Sequence, residues 1–260
     1  MIDIHNHSRF SFDSIASPEN MVTTAFERGA IGFGFAEHIY LTDKSNYSEI
    51  NNTMISYLKE IDILKKKFNN MIFSGVEFNY YKKFDQEYKL ISNKYDFDYI
   101  INSVHWIDDV DIYKDFFKDK SIDDGFQMYL TEVLKSLDTI FDYQIVGHVG
   151  VLLKIYNNIP YNDFYNRYST SIDKILKKII EKGKCLEINT ATSNGELCIP
   201  TLEVIERYYN LGGRKVSLGS DAHKNEKVMT NINKVVEEIK KIGFQYLTYY
   251  EKKMDRRGLG

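Results

Sequence analysis

Residues 1–10 read MIDIHNHSRF. An apolar run, Met1–Ile4, is followed at once by His5 and His7, in a chain of 260 residues that holds only six histidines. A short apolar run of this kind is a candidate strand. It recurs at Ile31–Ala36, Met71–Val76, Tyr99–Val104, Gln144–Gly147, Cys185–Ile188 and Lys215–Gly219. Longer stretches with apolar residues three and four apart lie between, clearest in YLKEIDILKKKF (57–68) and YSTSIDKILKKIIEKG (168–183), and these predict amphipathic helices. Strand–helix alternation repeated without a linker predicts one α/β domain over residues 1–260. The length suits a (β/α) barrel, typically ~250 residues. A doubly wound open sheet has the same alternation, so periodicity leaves both architectures open.

Local signals agree with this reading. Ser17 before Pro18 reads as an N-cap with a first-turn proline, and Gly183 and Gly212 stand where helices should stop. The lysines at 65–67 read as the solvated face of their helix, and FQYLTYYEKKMDRRGLG (244–260) as one last strand with a charged tail. Lys plus Arg is 34 and Asp plus Glu 37, a net charge of −3, so no strong field would draw nucleic acid or an anionic membrane. Cys185 and Cys198 fit no metal spacing, and their scarcity suits a reducing compartment. MIDIHNHS is too polar for a secretory signal, and no apolar run approaches the ~20 residues of a membrane helix. A cytoplasmic protein is expected.

The histidines share an address. His5 and His7 close the first candidate strand, His38 follows the second, His105 the fourth, His148 the fifth, and His223 lies just beyond the seventh. In a barrel or open α/β sheet, the carboxyl edge of the strands is where sites are built. Residues two apart on a strand share a face, so His5 and His7 should project together, as should Asp221 and His223 if their strand persists that far. Glu77 and Asp221 reach the same edge, and Asp13 lies in the first loop, able to fold back over it. Singly, each histidine is most simply a hydrogen-bonded structural residue. All six at one edge are not explained that way. Imidazole and carboxylate together suit Zn, Mn or Fe, and nine such groups exceed the needs of one ion.

Other chemistry is poorly supported. The glycines of GAIGFG (29–34) do not open a helix as a phosphate loop requires, and no G-x-S-x-G elbow occurs. Ser103 lacks a free base once His105 is a ligand. Trp106 reads as wall or core.

In chain order, HNHSRFSFDS (5–14), FAEH (35–38), GVEF (75–78), SVHW (103–106), GHVG (147–150), LEINT (186–190) and LGSDAH (218–223) resemble the polymerase and histidinol phosphatase (PHP) family, most closely its monofunctional histidinol-phosphatase branch. The resemblance implies a distorted seven-stranded (β/α) barrel, TIM-barrel-like, with a trinuclear centre of divalent ions at the carboxyl ends of the strands. His5, His7, Glu77 and Asp221 would hold one ion. Glu77 would bridge to a second, held also by His105 and His148, and Asp13, His38 and His223 would hold the third.

It further implies hydrolysis of a small phosphoester by a hydroxide formed on the ions, with L-histidinol phosphate, in histidine biosynthesis, as the expected substrate. No residue is assigned as general acid, since every histidine has a ligand role. The chain departs from the branch at Arg9, Gly150, Lys154 and Ala191, where a histidine, an aspartate and two arginines are often found. Arg9 and Lys154 are therefore the candidate substrate contacts. These departures keep open another small phosphoester, such as a nucleotide or sugar phosphate. A non-catalytic module is a further reading, against which the full set of nine ligands argues.

Overall fold

The computed structural model of the protein describes residues 1–69, 71–156, 159–193 and 195–258. Its elements in chain order are β1 (Ile2–Asp3), α1 (Pro18–Glu27), β2 (Gly32–Ile39), α2 (Tyr47–Lys67), β3 (Ile72–Asn79), α3 (Asp85–Lys94) and β4 (Tyr99–Ser103). There follow β5 (Trp106–Ile107), β6 (Val110–Asp111), α4 (Ile122–Ser136), β7 (Ile145–Val146), α5 (Leu152–Ile155), α6 (Phe164–Glu181) and β8 (Cys185–Asn189). The chain continues through α7 (Leu202–Asn210), β9 (Val216–Gly219), α8 (Ile232–Ile242), β10 (Leu247–Glu251) and β11 (Met254–Gly258).

Seven strands lie in the order β1-β2-β3-β4-β7-β8-β9, each parallel to its neighbours. Every residue of β3, β4, β8 and β9 is buried, which is why these strands read as continuous apolar runs rather than alternating ones. The sheet closes. The Ile4 amide donates to the Leu218 carbonyl at 2.9 Å, the Asp221 amide to His5 at 2.7 Å and the His7 amide to Ala222 at 2.9 Å. First and last strands thus pair beyond their regular ends, and the open-sheet alternative is removed.

Inside the barrel Ile2, Ile4, Phe73, Tyr99, Ile101, Ile145 and Cys185 form a small core, and a larger one fills the space between strands and helices. Tyr99 spans the interior, its hydroxyl oxygen 2.6 Å from the Ile4 carbonyl and 2.7 Å from that of Phe35. Its ring lies where a side chain at Gly75 would be: a Cβ there would stand 2.1 Å from the Tyr99 ring. Gly75→Ala is therefore expected to destabilise the fold by about 1–3 kcal/mol through overpacking. Urea unfolding checks this, and an unchanged midpoint would show that the ring has room to move.

Gly183 and Gly212 follow α6 and α7 with φ of +64° and +97°, the left-handed stop that glycine adopts without strain. Ser17 is the N-cap residue of α1 with Pro18 in the first turn, but its side chain makes no capping bond. Several expectations are corrected. β2 and β3 run three residues further than their apolar patterns, so His38 and Glu77 sit within strands rather than past them. Lys65 is not simply solvated: its ammonium lies 2.7 Å from the buried carboxylate of Asp98. Residues 247–258 form the antiparallel β10–β11 hairpin rather than one strand and a tail, with Tyr250 joining the inner core. Leu259 and Gly260 lie outside the described residues. No helix among the described residues is long and apolar enough to cross a membrane.

Candidate metal centre

Glu77 is the hub. It is buried at 1% exposure, and the register of β2 on β3 sets it opposite His38. Its Oε2 lies 2.9 Å from His38 Nδ1, 3.5 Å from His5 Nε2 and 3.7 Å from His7 Nε2. Its Oε1 lies 2.8 Å from His148 Nε2 and 3.7 Å from His105 Nε2. His38 within β2 and His148 just after β7, well apart in sequence, thus meet on the two oxygens of one carboxylate. Asp221 Oδ1 stands 3.2 Å from His7 Nε2 and 4.0 Å from His5 Nε2. Asp13 Oδ2 stands 3.3 Å from His38 Nε2 and 3.2 Å from His223 Nε2.

All nine groups singled out in the sequence therefore converge at the carboxyl end of the barrel. The route differs from expectation for one pair. β9 ends at Gly219, and Asp221 takes φ +48°, a left-handed turn that aspartate tolerates better than most residues. That turn, not a continuing strand, brings Asp221 and His223 to the site.

The cluster fits divalent ions. Two donors about 2.1 Å from one tetrahedral ion stand about 3.4 Å apart, the spacing seen here between imidazole and carboxylate. Nε2 of His5 and of His7 and Nδ1 of His38 are buried and face carboxylate oxygens without a well-aligned hydrogen bond, and buried polar atoms left so are costly unless something else meets them. Donor atoms lie within mutual reach in three triads: His5–His7–Glu77, Glu77–His105–His148 and His7–His38–His223.

Protonation follows the surroundings. Burial is the main cause that pushes His105 down to about 3, keeping its imidazole neutral. Burial works against charge on Glu77, yet the charge of His5 and hydrogen bonds from His148 and His38 hold its carboxyl well below the usual range. His5 moves the other way, its loss of solvent outweighed by Glu187 and Glu77.

Glu187 was missed in the sequence. One of its oxygens accepts from His5 Nδ1, and the other accepts the His148 amide at 2.6 Å, so it orients two ring-bearing segments at once. The available signal was a carboxylate inside an apolar strand. Two further buried carboxylates act alike. Asp3 accepts from Ser220 Oγ at 2.6 Å and Asn6 Nδ2 at 2.9 Å, and Glu37 from Ser8 Oγ at 2.5 Å. Tyr40 Oη lies 2.6 Å from His105 Nδ1.

All of the cluster but His5 and His7 lines a cavity of about 450 Å³, which Phe12, Tyr40, Trp106, Asp111, Tyr113, Lys114 and Lys154 complete. Lys154 Nζ stands 3.4 Å from Asp221 Oδ2. Arg9 is corrected: its guanidinium pairs with Glu60 and it is absent from the cavity lining. Gly150 has φ +101° and a Cβ there would press on Phe164 at 3.1 Å, so an aspartate would be strained at this position. Trp106 is wall, not core. Cys185 and Cys198 are buried free thiols.

Residues 3–191 match the model of the PHP domain family. A probable histidinol-phosphatase of Clostridium acetobutylicum is 30% identical over 236 residues, 89% of each chain. The histidinol-phosphatase of Lactococcus lactis subsp. lactis is 29% identical over 98% of this chain and 96% of its own. A crystal structure of histidinol phosphate phosphatase from that organism, complexed with zinc, L-histidinol and phosphate, superposes with a TM-score of 0.86 at 27% identity, covering 98% of both chains. A structure of a putative histidinol phosphatase from Listeria monocytogenes shares the fold, with a TM-score of 0.74 at 19% identity over 90% of this chain and 99% of that one.

Proposed function

The chain belongs to the PHP domain family, and on that footing we propose that it is a metal-dependent phosphomonoesterase that hydrolyses L-histidinol phosphate to L-histidinol and phosphate. The observation that carries this reading is the convergence of six imidazoles and three carboxylates in one cluster, seven members of which line one cavity. Likeness over almost the full length to a structure holding zinc, L-histidinol and phosphate supports it. Residues 1–260 are read as one catalytic domain, because Asp221 and His223 complete the cluster beyond residue 191, where the family match ends.

In this reading His5, His7, Glu77 and Asp221 hold one divalent ion. Glu77 would also serve a second ion held by His105 and His148, and Asp13, His38 and His223 would hold a third. His7 also stands in a triad with His38 and His223. Such ions, when bound, supply Lewis acidity that activates water and neutralises phosphate oxygens. The chain's own residues do the rest. Glu77 and Asp221 offset the cationic charge and set the spacing of the cluster. Glu187 fixes the His5 ring, so that Nε2 faces the cluster.

Of the two lysines that line the cavity, Lys154 is the one paired with a cluster carboxylate, Asp221 at 3.4 Å, and in this reading it meets a non-bridging phosphate oxygen. Lys154→Ala is expected to lower kcat/KM by roughly 10-fold, or ~1.4 kcal/mol, with the ion content unchanged. Steady-state kinetics with metal analysis checks this, and an unchanged kcat/KM would leave the phosphate to the ions. Arg9→Ala should leave turnover as it was.

The test of the function is phosphate release by the metal-loaded protein from L-histidinol phosphate, glycerol phosphate and adenosine monophosphate. A clear preference for L-histidinol phosphate is expected. Equal or better turnover of a nucleotide or sugar phosphate would assign the chain to that alternative, which the departures at Arg9, Gly150, Lys154 and Ala191 keep open. No turnover of any ester would leave a non-catalytic module.

A further inference from the structure

Tyr40 follows the last residue of β2, and strand alternation sets it on the side of His38, with the core residue Ile39 turned the other way. The backbone on either side of it is pinned. The buried Tyr88 hydroxyl donates to the Ile39 carbonyl at 3.2 Å and accepts the Leu41 amide at 3.0 Å. The Tyr40 ring centre stands 4.7 Å from that of His38, 5.1 Å from that of His105 and 5.4 Å from that of Phe12. His105 is held from its own side, its amide donating to Asn79 Oδ1 at 2.8 Å. The 2.6 Å contact between Tyr40 Oη and His105 Nδ1 is thus set by structure at both ends.

Proton counting gives this contact a direction. His105 Nε2 lies 3.7 Å from Glu77 Oε1 and 3.1 Å from His148 Nε2, so it is the nitrogen turned to the cluster. A neutral imidazole has one N–H, and a ring that serves an ion through Nε2 carries that hydrogen on Nδ1. Nδ1–H then donates to the Tyr40 oxygen. The phenol does not return the bond, so its own O–H points elsewhere. Among the described residues Tyr40 makes no second hydrogen bond, and it lines the same cavity as Glu77, His148 and Lys154. Its O–H is left for a group within that cavity. Such a donor matters in this chain, because Arg9 is taken by Glu60 and Ala191 has no side-chain donor.

We propose that the Tyr40 hydroxyl serves twice: it accepts from His105 Nδ1–H, which turns Nε2 to the cluster, and it donates its own hydrogen to a phosphoryl oxygen in the cavity. Glu187 does the first of these for His5 but, as a carboxylate, has no hydrogen to give. The proposal rests on the phosphomonoesterase reading and adds to it a residue that couples a candidate ion ligand to the bound phosphate.

Tyr40→Phe removes the hydroxyl and keeps the ring. Calorimetric titration of the metal-loaded protein with inorganic phosphate is expected to give a Kd about 10-fold higher than wild type at equal ion content, the loss of one hydrogen bond to a charged group. A chelator is expected to strip the variant at about 10-fold lower concentration, as when a group that orients an ion ligand is removed. An unchanged Kd at equal ion content, or unchanged resistance to the chelator, would overturn the proposal. Nitrogen-15 shifts of His105 in the zinc-loaded wild type test the same point without a variant. The hydrogen is expected on Nδ1, and a hydrogen on Nε2 would overturn the proposal. The outcomes also separate Tyr40 from the reading beneath it. If wild type hydrolyses no ester, yet Tyr40→Phe weakens phosphate binding and ion retention, Tyr40 stands and the phosphomonoesterase reading falls. If wild type hydrolyses L-histidinol phosphate and Tyr40→Phe changes neither quantity, Tyr40 falls and that reading stands.

Discussion

Glu77→Gln is expected to lower kcat by at least about 100-fold and to empty part of the ion site, with a much smaller effect on folding. The carboxylate offers an oxygen to each side of the cluster, Oε2 towards His5, His7 and His38 and Oε1 towards His105 and His148. The amide that replaces it has one acceptor and an NH₂ group, which repels a cation where the second oxygen stood. It also removes a negative charge from a site that must balance several positive ones. Altering groups that merely support metal ligands already costs 10–100-fold in affinity or activity, so loss of the shared carboxylate should exceed that range. Metal analysis and steady-state kinetics on the same preparation decide the matter. A variant with full ion content and near-normal turnover would make Glu77 a structural acid only.

Stripping the ions with a chelator is expected to abolish turnover and to lower the thermal midpoint, and adding zinc or manganese should restore both. Without ions the barrel sets the buried Glu77 and two other carboxylates among ring nitrogens that are not all well hydrogen-bonded, an arrangement that costs free energy. Ions that bind the folded chain and not the unfolded one stabilise it by mass action, about 4 kcal/mol for one site at a thousand times its dissociation constant. The shift should therefore grow with free ion concentration. Full phosphatase activity in protein shown by elemental analysis to be free of divalent ions would remove the metal-dependent reading.

Most of the candidate site was legible from the chain because its signals are local. A parallel strand buried on both faces must be apolar throughout, so β3 and β8 announce themselves, and a histidine or glutamate at the end of such a run stands out. His5, His7, His38, Glu77, His105 and His148 were all visible in this way. Glu187 was not, because its place in LEINT looks like any polar residue in a strand. Its role depends on His5 and His148 arriving from other parts of the chain. Arg9 was misplaced for the same reason. Its nearness to His7 in sequence suggested the cavity, but Glu60 on α2 takes its guanidinium.

The sequence by itself determined the seven strands, their alternation with helices and the gathering of chemistry at one strand edge. These follow from side-chain hydrophobicity and spacing over a few residues. Only the tertiary structure decided that the sheet closes. Closure rests on Ile4 meeting Leu218 and His5 meeting Asp221, pairs from opposite ends of the chain that no local pattern encodes. It likewise decided that a turn rather than a strand delivers Asp221, that Lys154 rather than Arg9 lines the cavity, and that Asp111 lines it too. Each of these depends on which distant partner claims a flexible or charged group, and that competition is settled by packing in three dimensions.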